Sequence, residues 1–347
     1  MVFDPIFPHP PPMVTTMNAF SLEDRFPKLM RGVSRGLNKY GDRLLFGAVF
    51  GTSPITVNPS AETGIHTAVP HRYLYAYLTA IKSLLRYDAE LAVYVHDDGS
   101  LLDEDKALIR RHLPGVRIVD RAKADQTFAD KVGDEFLTKV RKSYTSYLKL
   151  FDPTLASTNK RIIIVDTDVL FLNRPETIIE WAQKGGAPWF HRSEPWRQAR
   201  LNQQSPASSP QPGATKPKHI QQMVLERLHD INQVLGTNYA FEQGFNSGFV
   251  GYDHDTVNYS ELKNLLAHLY EILGDRIFRW GSEQTMHGLL LGGKGAMPLP
   301  SDEYMVFTNL NSDRAAQAKF VHFIGEYRYH RMLYPRLAAQ VIRSLGH

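Results

Sequence analysis

Short apolar runs alternate with helical segments along the first third of this chain, and this alternation constrains the fold more than any other feature. The runs 44–50, 91–95 and 116–119 are predicted to be buried strands, and the amphipathic segments 71–87 and 103–112 lie between them. Such alternation is typical of an α/β fold, in which helices cover both faces of a mostly parallel central sheet. In that class, ligands bind beyond the carboxyl ends of the strands.

The rest of the chain continues the same pattern. Its predicted elements are a helix at 139–151, a strand at 161–172, a helix at 220–235, a strand at 248–252, helices at 261–273 and 283–291, and a strand at 319–324. No internal repeat and no clear linker divides these elements into two cores. We therefore predict a single domain over residues 43–335.

Three segments lack this pattern. Residues 1–42 are predicted to form a Pro-rich arm and a lead-in helix, because five of the first twelve residues are proline. The stretch 193–218 is rich in Ser, Pro and Gln and poor in large apolar residues, so we predict a flexible insert within the domain. Residues 336–347 are predicted to be a tail helix.

Composition excludes several classes of protein. The chain has 347 residues, 43% of them hydrophobic, which is enough to bury a core, and it has no cysteine. Disulfides, thiolate catalysis, Cys-ligated zinc and iron–sulfur clusters are therefore excluded, and any metal must bind Asp, Glu, His or carbonyl oxygen. The sequence shows neither a secretory leader nor a run of 18 apolar residues, so we expect a cytoplasmic protein without a transmembrane segment. Peripheral association with a membrane is left open.

The net charge of +4 is distributed unevenly. Residues 191–220 contain five basic and one acidic residue, residues 314–347 contain six and one, and the remainder is acidic. The basic residues are not interleaved with aromatic residues on a recognisable nucleic-acid-binding module, so nucleic acid is not predicted as a partner. Local positive charge of this kind is instead typical of a binding site for an anionic ligand.

The strongest candidate for a functional site is Asp166-Thr167-Asp168, which follows the apolar β-branched run 162–165. Two carboxylates just past a buried parallel strand lie in the ligand crevice of the sheet, where both can reach one divalent ion. The alternative is a pair of carboxylates that only faces solvent. Two other Asp-x-Asp tripeptides occur, at 103–105 and 253–255.

Two further motifs are candidates. Asn246 and Ser247, which open the strand GFVGY, can donate and accept hydrogen bonds, although an Asn-capped turn would leave the same pattern. His322 ends the predicted strand 319–324 and is a candidate third metal ligand, although a lone histidine beside Phe is often a buried core residue. Gly325 would free backbone N–H groups, and Arg328 would offer a fork for phosphate.

These motifs together resemble the GT-A-fold glycosyltransferases, most closely the retaining enzymes of glycosyltransferase family 8 and their relatives. The resemblance covers 44–331 and rests on SYLKLFDPTLASTNKRIIIVDTDVLFL, GFNSGFVGYD, WGSEQTMHGLL and VHFIGEYR. It implies a GT-A fold, with a Rossmann-like central sheet, and transfer of a sugar with retention from a nucleotide-sugar, commonly a UDP-sugar. The implied acceptor is a glycan, a lipid-linked glycan, a protein or a small molecule.

The resemblance also implies roles for individual residues. Asp166, Asp168 and His322 would bind Mn²⁺ or Mg²⁺, and the ion would hold the donor diphosphate. Glu283 and Gln284 would flank the reactive face of the sugar as catalytic residues. The implied donor-binding residues are Phe50, Gly51, Thr52, Asp98, Lys149, Asp166, Thr167, Asn246, Ser247, Gly325 and Arg328.

The chain departs from the family pattern at two of these positions. Lys149 stands where the family usually has an arginine, which keeps the charge but not the bidentate fork. Arg328-Tyr329-His330 stands where a Lys-Pro-Trp is expected. Two other interpretations remain open: a haloacid-dehalogenase-type phosphatase that uses Asp166 as its nucleophile, and a catalytically inactive sugar-binding protein with the GT-A fold.

Overall fold

A computed structural model describes residues 36–37, 41–194 and 219–346 of the chain. The N-terminal arm and most of the 193–218 insert lie outside the described residues, so those two predictions stay predictions. Among the described residues, no helix combines the length and the apolar character needed to cross a membrane.

The central sheet contains seven strands in the order β3-β2-β1-β4-β7-β6-β8. Strands β3, β2, β1 and β4 run parallel to one another, β7 runs antiparallel to both β4 and β6, and β8 is parallel to β6. The predicted mostly parallel α/β sheet is therefore confirmed. The bounds of these strands are β1 Thr63–Val69, β2 Ala92–Asp97, β3 Arg117–Val119, β4 Arg161–Val165, β6 Trp189–Arg192, β7 Phe245–Asp253 and β8 Met297–Pro298.

Thirteen α-helices lie within the described residues, joined in places by short 3-10 turns. In chain order they are α1 Asp42–Phe46, α2 Leu74–Leu85, α3 Asp103–His112, α4 Arg121–Lys131, α5 Glu135–Ser143, α6 Leu148–Phe151, α7 Pro153–Ala156, α8 Glu176–Lys184, α9 Ile220–Leu225, α10 Leu228–Leu235, α11 Tyr259–Leu273, α12 Ser282–Gly292 and α13 Leu333–Ser344.

Helices cover both faces of the central sheet, as the alternating side chains of β4 show. Ile163 and Val165 pack in one buried cluster with residues of α2, α3 and α8. Ile162 and Ile164 pack in another with residues of α5, α6 and α9 to α12. Successive side chains of a strand point to opposite faces of its sheet, so the two clusters are the two layers of core predicted from the sequence.

A second, three-stranded sheet stands beside the carboxyl end of β4. Its strands are β5 Val169–Phe171, β9 Tyr304–Val306 and β10 Phe320–His322, in the order β5-β10-β9. β10 is antiparallel to β5 and parallel to β9. His322 pairs with Val169, the first residue after Asp168, so the small sheet places the end of β10 against the Asp-x-Asp turn.

The predicted first strand at 44–50 is wrong. This run forms α1 and the 3-10 helix Gly47–Gly51, and its buried residues, Phe46 and Val49, are three positions apart, the spacing of a helix face. The first strand is β1, which the sequence does not indicate because His66 and two threonines interrupt its apolar run. Those polar side chains are buried by contacts with other parts of the fold, which a local sequence pattern does not predict.

Three other predicted elements are divided in the structure. The strand 161–172 is β4, the Asp166–Asp168 turn and β5. The helix 139–151 is the end of α5, the 3-10 helix Thr145–Tyr147 and α6. The helix 220–235 is α9 and α10, with Glu226 and Arg227 between them.

Candidate functional site

Asp166, Asp168 and His322 form the one group of three potential metal ligands found among the described residues. One ligand atom from each lies within 4.8 Å of the other two. Backbone hydrogen bonds fix the turn: the Asp166 N–H donates to the Gly248 carbonyl (2.9 Å), and the Phe323 N–H donates to the Asp168 carbonyl (2.8 Å). The ends of β4, β7 and β10 thus converge on one point.

His322 is held with one ring nitrogen facing the carboxylates. Its Nε2 lies 3.1 Å from Asp168 Oδ1 and 3.7 Å from Asp166 Oδ2. Its Nδ1 lies 3.1 Å from Asn246 Oδ1, which also accepts from the Gly248 N–H at 2.8 Å. Because that backbone N–H identifies the acceptor atom of the amide, Nδ1 donates to Asn246, and Nε2 is the ring nitrogen that faces the carboxylates and is placed to bind a metal.

The glycine of the FNSG motif makes room for this histidine. A Cβ on Gly248 would lie 2.1 Å from the His322 ring and 2.9 Å from Asn246 Oδ1. The close neighbour of Gly248 is therefore the metal-ligand candidate His322. Any larger residue at 248 would displace the ring.

Two cations flank the cluster. Lys149 Nζ lies 2.7 Å from Asp166 Oδ1, and an Arg328 Nη atom contacts Asp168 Oδ2. Burial lowers the pKa of Lys149, but Asp166 and Glu283 more than offset this effect and hold the pKa above its usual value. Burial likewise works against ionisation of Asp168, yet Arg328 and His322 keep the pKa of that carboxyl well below its usual range. Lys149 and Asp168 are therefore charged at neutral pH.

Glu283 anchors the side of the site formed by α12. Its carboxylate lies 3.7 Å from Lys149 Nζ, accepts from the Ser247 hydroxyl at 3.1 Å, and lies 2.7 Å from His287 Nδ1. Burial raises the pKa of Glu283, but Lys149 and the hydrogen bonds lower it below its usual value overall. The neighbouring Gln284 accepts weakly from the Ser247 N–H at 3.4 Å through its Oε1.

Two further predicted donor-binding residues, Thr167 and Gly325, lie in the segments that supply the candidate metal ligands. Thr167 is buried within the Asp-x-Asp turn, and its carbonyl lies 3.5 Å from the Tyr334 hydroxyl. Gly325 has a φ of 50°, a conformation that favours glycine, and opens the 3-10 helix Gly325–Tyr327 ahead of Arg328.

The donor-binding residues predicted from the first hundred positions make contacts within the protein itself. Phe50 is 47% exposed beneath the Arg111 guanidinium, and Gly51 ends the same 3-10 helix. Thr52 donates to the Val49 carbonyl at 2.7 Å. Asp98 accepts from the N–H and the hydroxyl of Ser100 in the turn that follows β2.

Three residues that the structure places in or beside the site are not indicated by the sequence. The Arg328 guanidinium stacks over the Tyr73 ring at 5.2 Å, His287 binds Glu283, and the buried His191 ring lies 5.9 Å from the His322 ring. Tyr73 follows β1, so recognising that strand would have placed it at the sheet edge. His287 lies four residues after Glu283 on α12, a spacing that signals contact on a helix.

No protein-family model matches the chain, and no curated protein matches it by sequence. Solved structures of similar shape include the galactosyltransferase LgtC with donor and acceptor sugar analogues, 15% identical over 82% of this chain and 96% of that chain, with a TM-score of 0.45. They also include the bifunctional glycosyltransferase WbbM (13% identity, 84% of this chain and 53% of that chain, TM-score 0.48) and mouse xyloside xylosyltransferase 1 (16%, 78% and 98%, 0.42). Similarity at this level does not assign a function by itself.

Proposed function

We propose that this protein is a metal-dependent GT-A glycosyltransferase that moves a sugar from a nucleotide-sugar, expected to be a UDP-sugar, to an acceptor with retention of configuration. The observation that carries the proposal is the cluster of Asp166, Asp168 and His322 at the carboxyl edge of the sheet, flanked by Lys149 and Arg328. A crevice at that edge is where an α/β sheet of this kind binds its ligand.

The three side chains fit a divalent ion. Two carboxylates and one imidazole form an oxygen-rich donor set suited to Mn²⁺ or Mg²⁺, and three protein ligands leave coordination positions for other oxygens. Asp166, Asp168 and His322 would hold the ion. A bound ion there would supply Lewis-acid stabilisation of a departing diphosphate.

The charges around the cluster favour an anionic ligand once an ion is bound. Three carboxylates (Asp166, Asp168 and Glu283) face two cations (Lys149 and Arg328), a formal sum of −1. A divalent ion changes that sum to +1, the sign needed to bind a diphosphate and to stabilise the negative charge that grows on it as the sugar leaves.

The residues on α12 would serve the sugar end of the donor. Glu283 already has three partners, so its proposed role is to hold Lys149 and Ser247 beside the phosphates. Gln284 Nε2 has no hydrogen-bond partner among the described residues and would donate to the sugar or shield its cationic transition state. Phe50, Gly51, Thr52 and Asp98 stay predictions as donor contacts.

The test is turnover of a panel of nucleotide-sugars with and without Mn²⁺. We expect release of nucleotide only with the correct donor, complete loss on chelation, and a fall of at least about 100-fold in Asp168→Ala. Glu303→Gln, which alters an exposed ion pair with Lys319, is the matched control. The mass and anomeric configuration of the product would identify the acceptor and test retention.

The opposite results are equally clear. Hydrolysis of a phosphomonoester without any sugar donor, lost in Asp166→Asn, would favour the haloacid-dehalogenase-type mechanism. Binding of a nucleotide-sugar without turnover on any acceptor would favour the inactive sugar-binding protein. Turnover that survives both chelation and Asp168→Ala would overturn the proposed site.

A further inference from the structure

A cavity of about 420 Å³ lies beside the candidate metal centre and shares none of its ligands. Its volume falls within the range of ~300–1,000 Å³ typical of small-molecule sites. The lining residues used below are Glu194, Ser301, Asp302, Met305, Leu310 and Arg314.

Two walls of this cavity begin at the edge of the sheet where Asp166 lies. Strands β6 and β4 both run antiparallel to β7, so they point the same way, and Glu194 lies two residues beyond the end of β6. Strand β9 is parallel to β10, with Val306 opposite His322, and the Phe307 N–H donates to the His322 carbonyl at 2.8 Å. Neighbouring strands are about 4.8 Å apart, so the cavity lies about one strand away from the metal-ligand histidine.

The polar groups of the cavity are arranged for a neutral ligand with several hydroxyls. Asp302 and Arg314 are exposed, and neither side chain forms an ion pair or hydrogen bond with a described residue. Glu194 Oε1 accepts from the Ser301 hydroxyl at 2.9 Å and from Arg192 at 3.3 Å, which leaves acceptor capacity on the other carboxylate oxygen. Arg192 balances the charge of Glu194, and Asp302 and Arg314 carry opposite formal charges, so the cavity has no positive excess that would favour a diphosphate over a neutral ligand.

One apolar residue completes the site. Leu310 is 62% exposed at the cavity, although large apolar side chains are usually buried. A sugar ring combines hydroxyls on its rim with apolar C–H faces, and carboxylate, guanidinium and an exposed leucine match those two surfaces.

We infer that this cavity binds a carbohydrate, namely the neutral sugar residue of the acceptor that receives the transferred sugar. The inference rests on the proposed function, because the adjacent Asp166, Asp168 and His322 would hold the donor. It names the chemistry of the acceptor end, whether that sugar is free or linked to a lipid or a protein.

Binding can be measured without turnover. Met305 lines the cavity, so its ¹³C-labelled methyl group reports on occupancy. We expect at least one of a panel of methyl glycosides of hexoses and N-acetylhexosamines to shift the Met305 signal saturably, and Asp302→Ala to weaken that binding at least tenfold. Asp313→Ala is the matched control, since Asp313 is an exposed acid on the loop that contains Leu310 and does not line the cavity.

The kinetic test uses the nucleotide-sugar that the wild-type protein turns over and the glycoside that binds. Asp302→Ala and Leu310→Ser should each raise the acceptor KM at least tenfold, with donor KM within twofold, and Asp313→Ala should change neither. A Met305 signal that no glycoside shifts, in an enzyme that hydrolyses its donor, overturns the cavity assignment and leaves the proposed function intact. Saturable glycoside binding in a protein that turns over no donor keeps the carbohydrate site and overturns the proposed function.

Discussion

At the scale of single residues, the candidate metal centre depends on side chains that hold other side chains in place. Asn246 is the clearest case, because its Oδ1 accepts from His322 Nδ1 and from the Gly248 N–H. Those two bonds orient the imidazole and fix the tautomer that leaves Nε2 facing Asp168. The predicted contact between Asn246 and the donor stays a prediction. What the structure shows is that Asn246 holds His322.

We expect Asn246→Ala to weaken Mn²⁺ binding by about 10- to 100-fold, the usual effect of removing a partner of a metal-bound histidine. Titration calorimetry with Mn²⁺ measures this directly. Asn246→Asp keeps an oxygen where both donors need one, so it should retain binding within a fewfold of wild type. Equal losses in both variants would show that the amide contributes by some other route.

The single residues that the sequence predicted best are those with a distinctive local context. Asp166 and Asp168 follow four buried β-branched residues, and His322 ends a buried strand. These local patterns predict that all three lie at an edge of the sheet. The partner of a buried charge carries no such signal. Glu283 was predicted from the resemblance, but nothing local indicates that its carboxylate meets Lys149 from another helix.

At the scale of elements, a buried ion pair fixes the helices beneath the site. Arg141 on α5 is 1% exposed and binds Asp152, between α6 and α7, through two bonds of 2.6 and 2.9 Å. Lys149 lies on α6, three residues before Asp152. The short helices α6 and α7 have too few turns to be stable alone, so this pair and the packing around it hold Lys149 in position.

We expect Asp152→Asn to lower the free energy of unfolding by about 3 kcal/mol, because among the described residues it leaves Asp125 as the one carboxylate paired with the buried Arg141 guanidinium. Urea titration measures the loss. The double variant Arg141→Met with Asp152→Leu should recover most of it, since buried ion pairs can be replaced by apolar residues of similar size. The control Glu271→Gln, which removes an exposed contact with His268, should leave the free energy of unfolding nearly unchanged.

Elements were predictable where one physical preference dominated. The helix 103–112 matches α3 residue for residue, because acidic residues fill its first turn and basic residues its last. The first strand was missed for the opposite reason. In β1, sheet burial overrides the polar character of His66 and two threonines, while α1 and the following 3-10 helix use an apolar run that reads locally as a strand.

At the scale of the whole molecule, the two sheets explain why sequence-distant motifs meet. β4 ends in the Asp-x-Asp turn, β5 leaves it in the small sheet, and β10 returns His322 to it from about 150 residues further along the chain. The alternation of strands and helices predicted the large sheet. The predicted strands 161–172 and 319–324 include β5 and β10, but the sequence does not separate β5 from β4 and gives no sign of the three-residue β9, so the small sheet itself is not predicted.

Three histidines buried away from the metal centre should make the whole fold sensitive to acid. His66 and His96 contact each other at 2.9 Å, and His112 lies 3.3 Å from the buried Lys82. Burial lowers the pKa of all three, to about 4 for His96 and for His112. The folded state therefore keeps them neutral, whereas the unfolded chain takes up protons below its ordinary pKa of about 6.5.

We expect the stability from these groups to be fully present above pH 6.5 and lost as pH falls from about 6.5 toward 4, by about 1 kcal/mol per histidine at pH 5.5. Urea titrations at pH 7.5 and 5.5 measure it. His112→Gln should reduce the difference in unfolding free energy between the two pH values by about 1 kcal/mol, the share of one histidine. The control His229→Gln, at an exposed position, should leave that difference unchanged. Identical pH dependence in the two variants would show that His112 titrates normally and that acid acts on the fold through other groups.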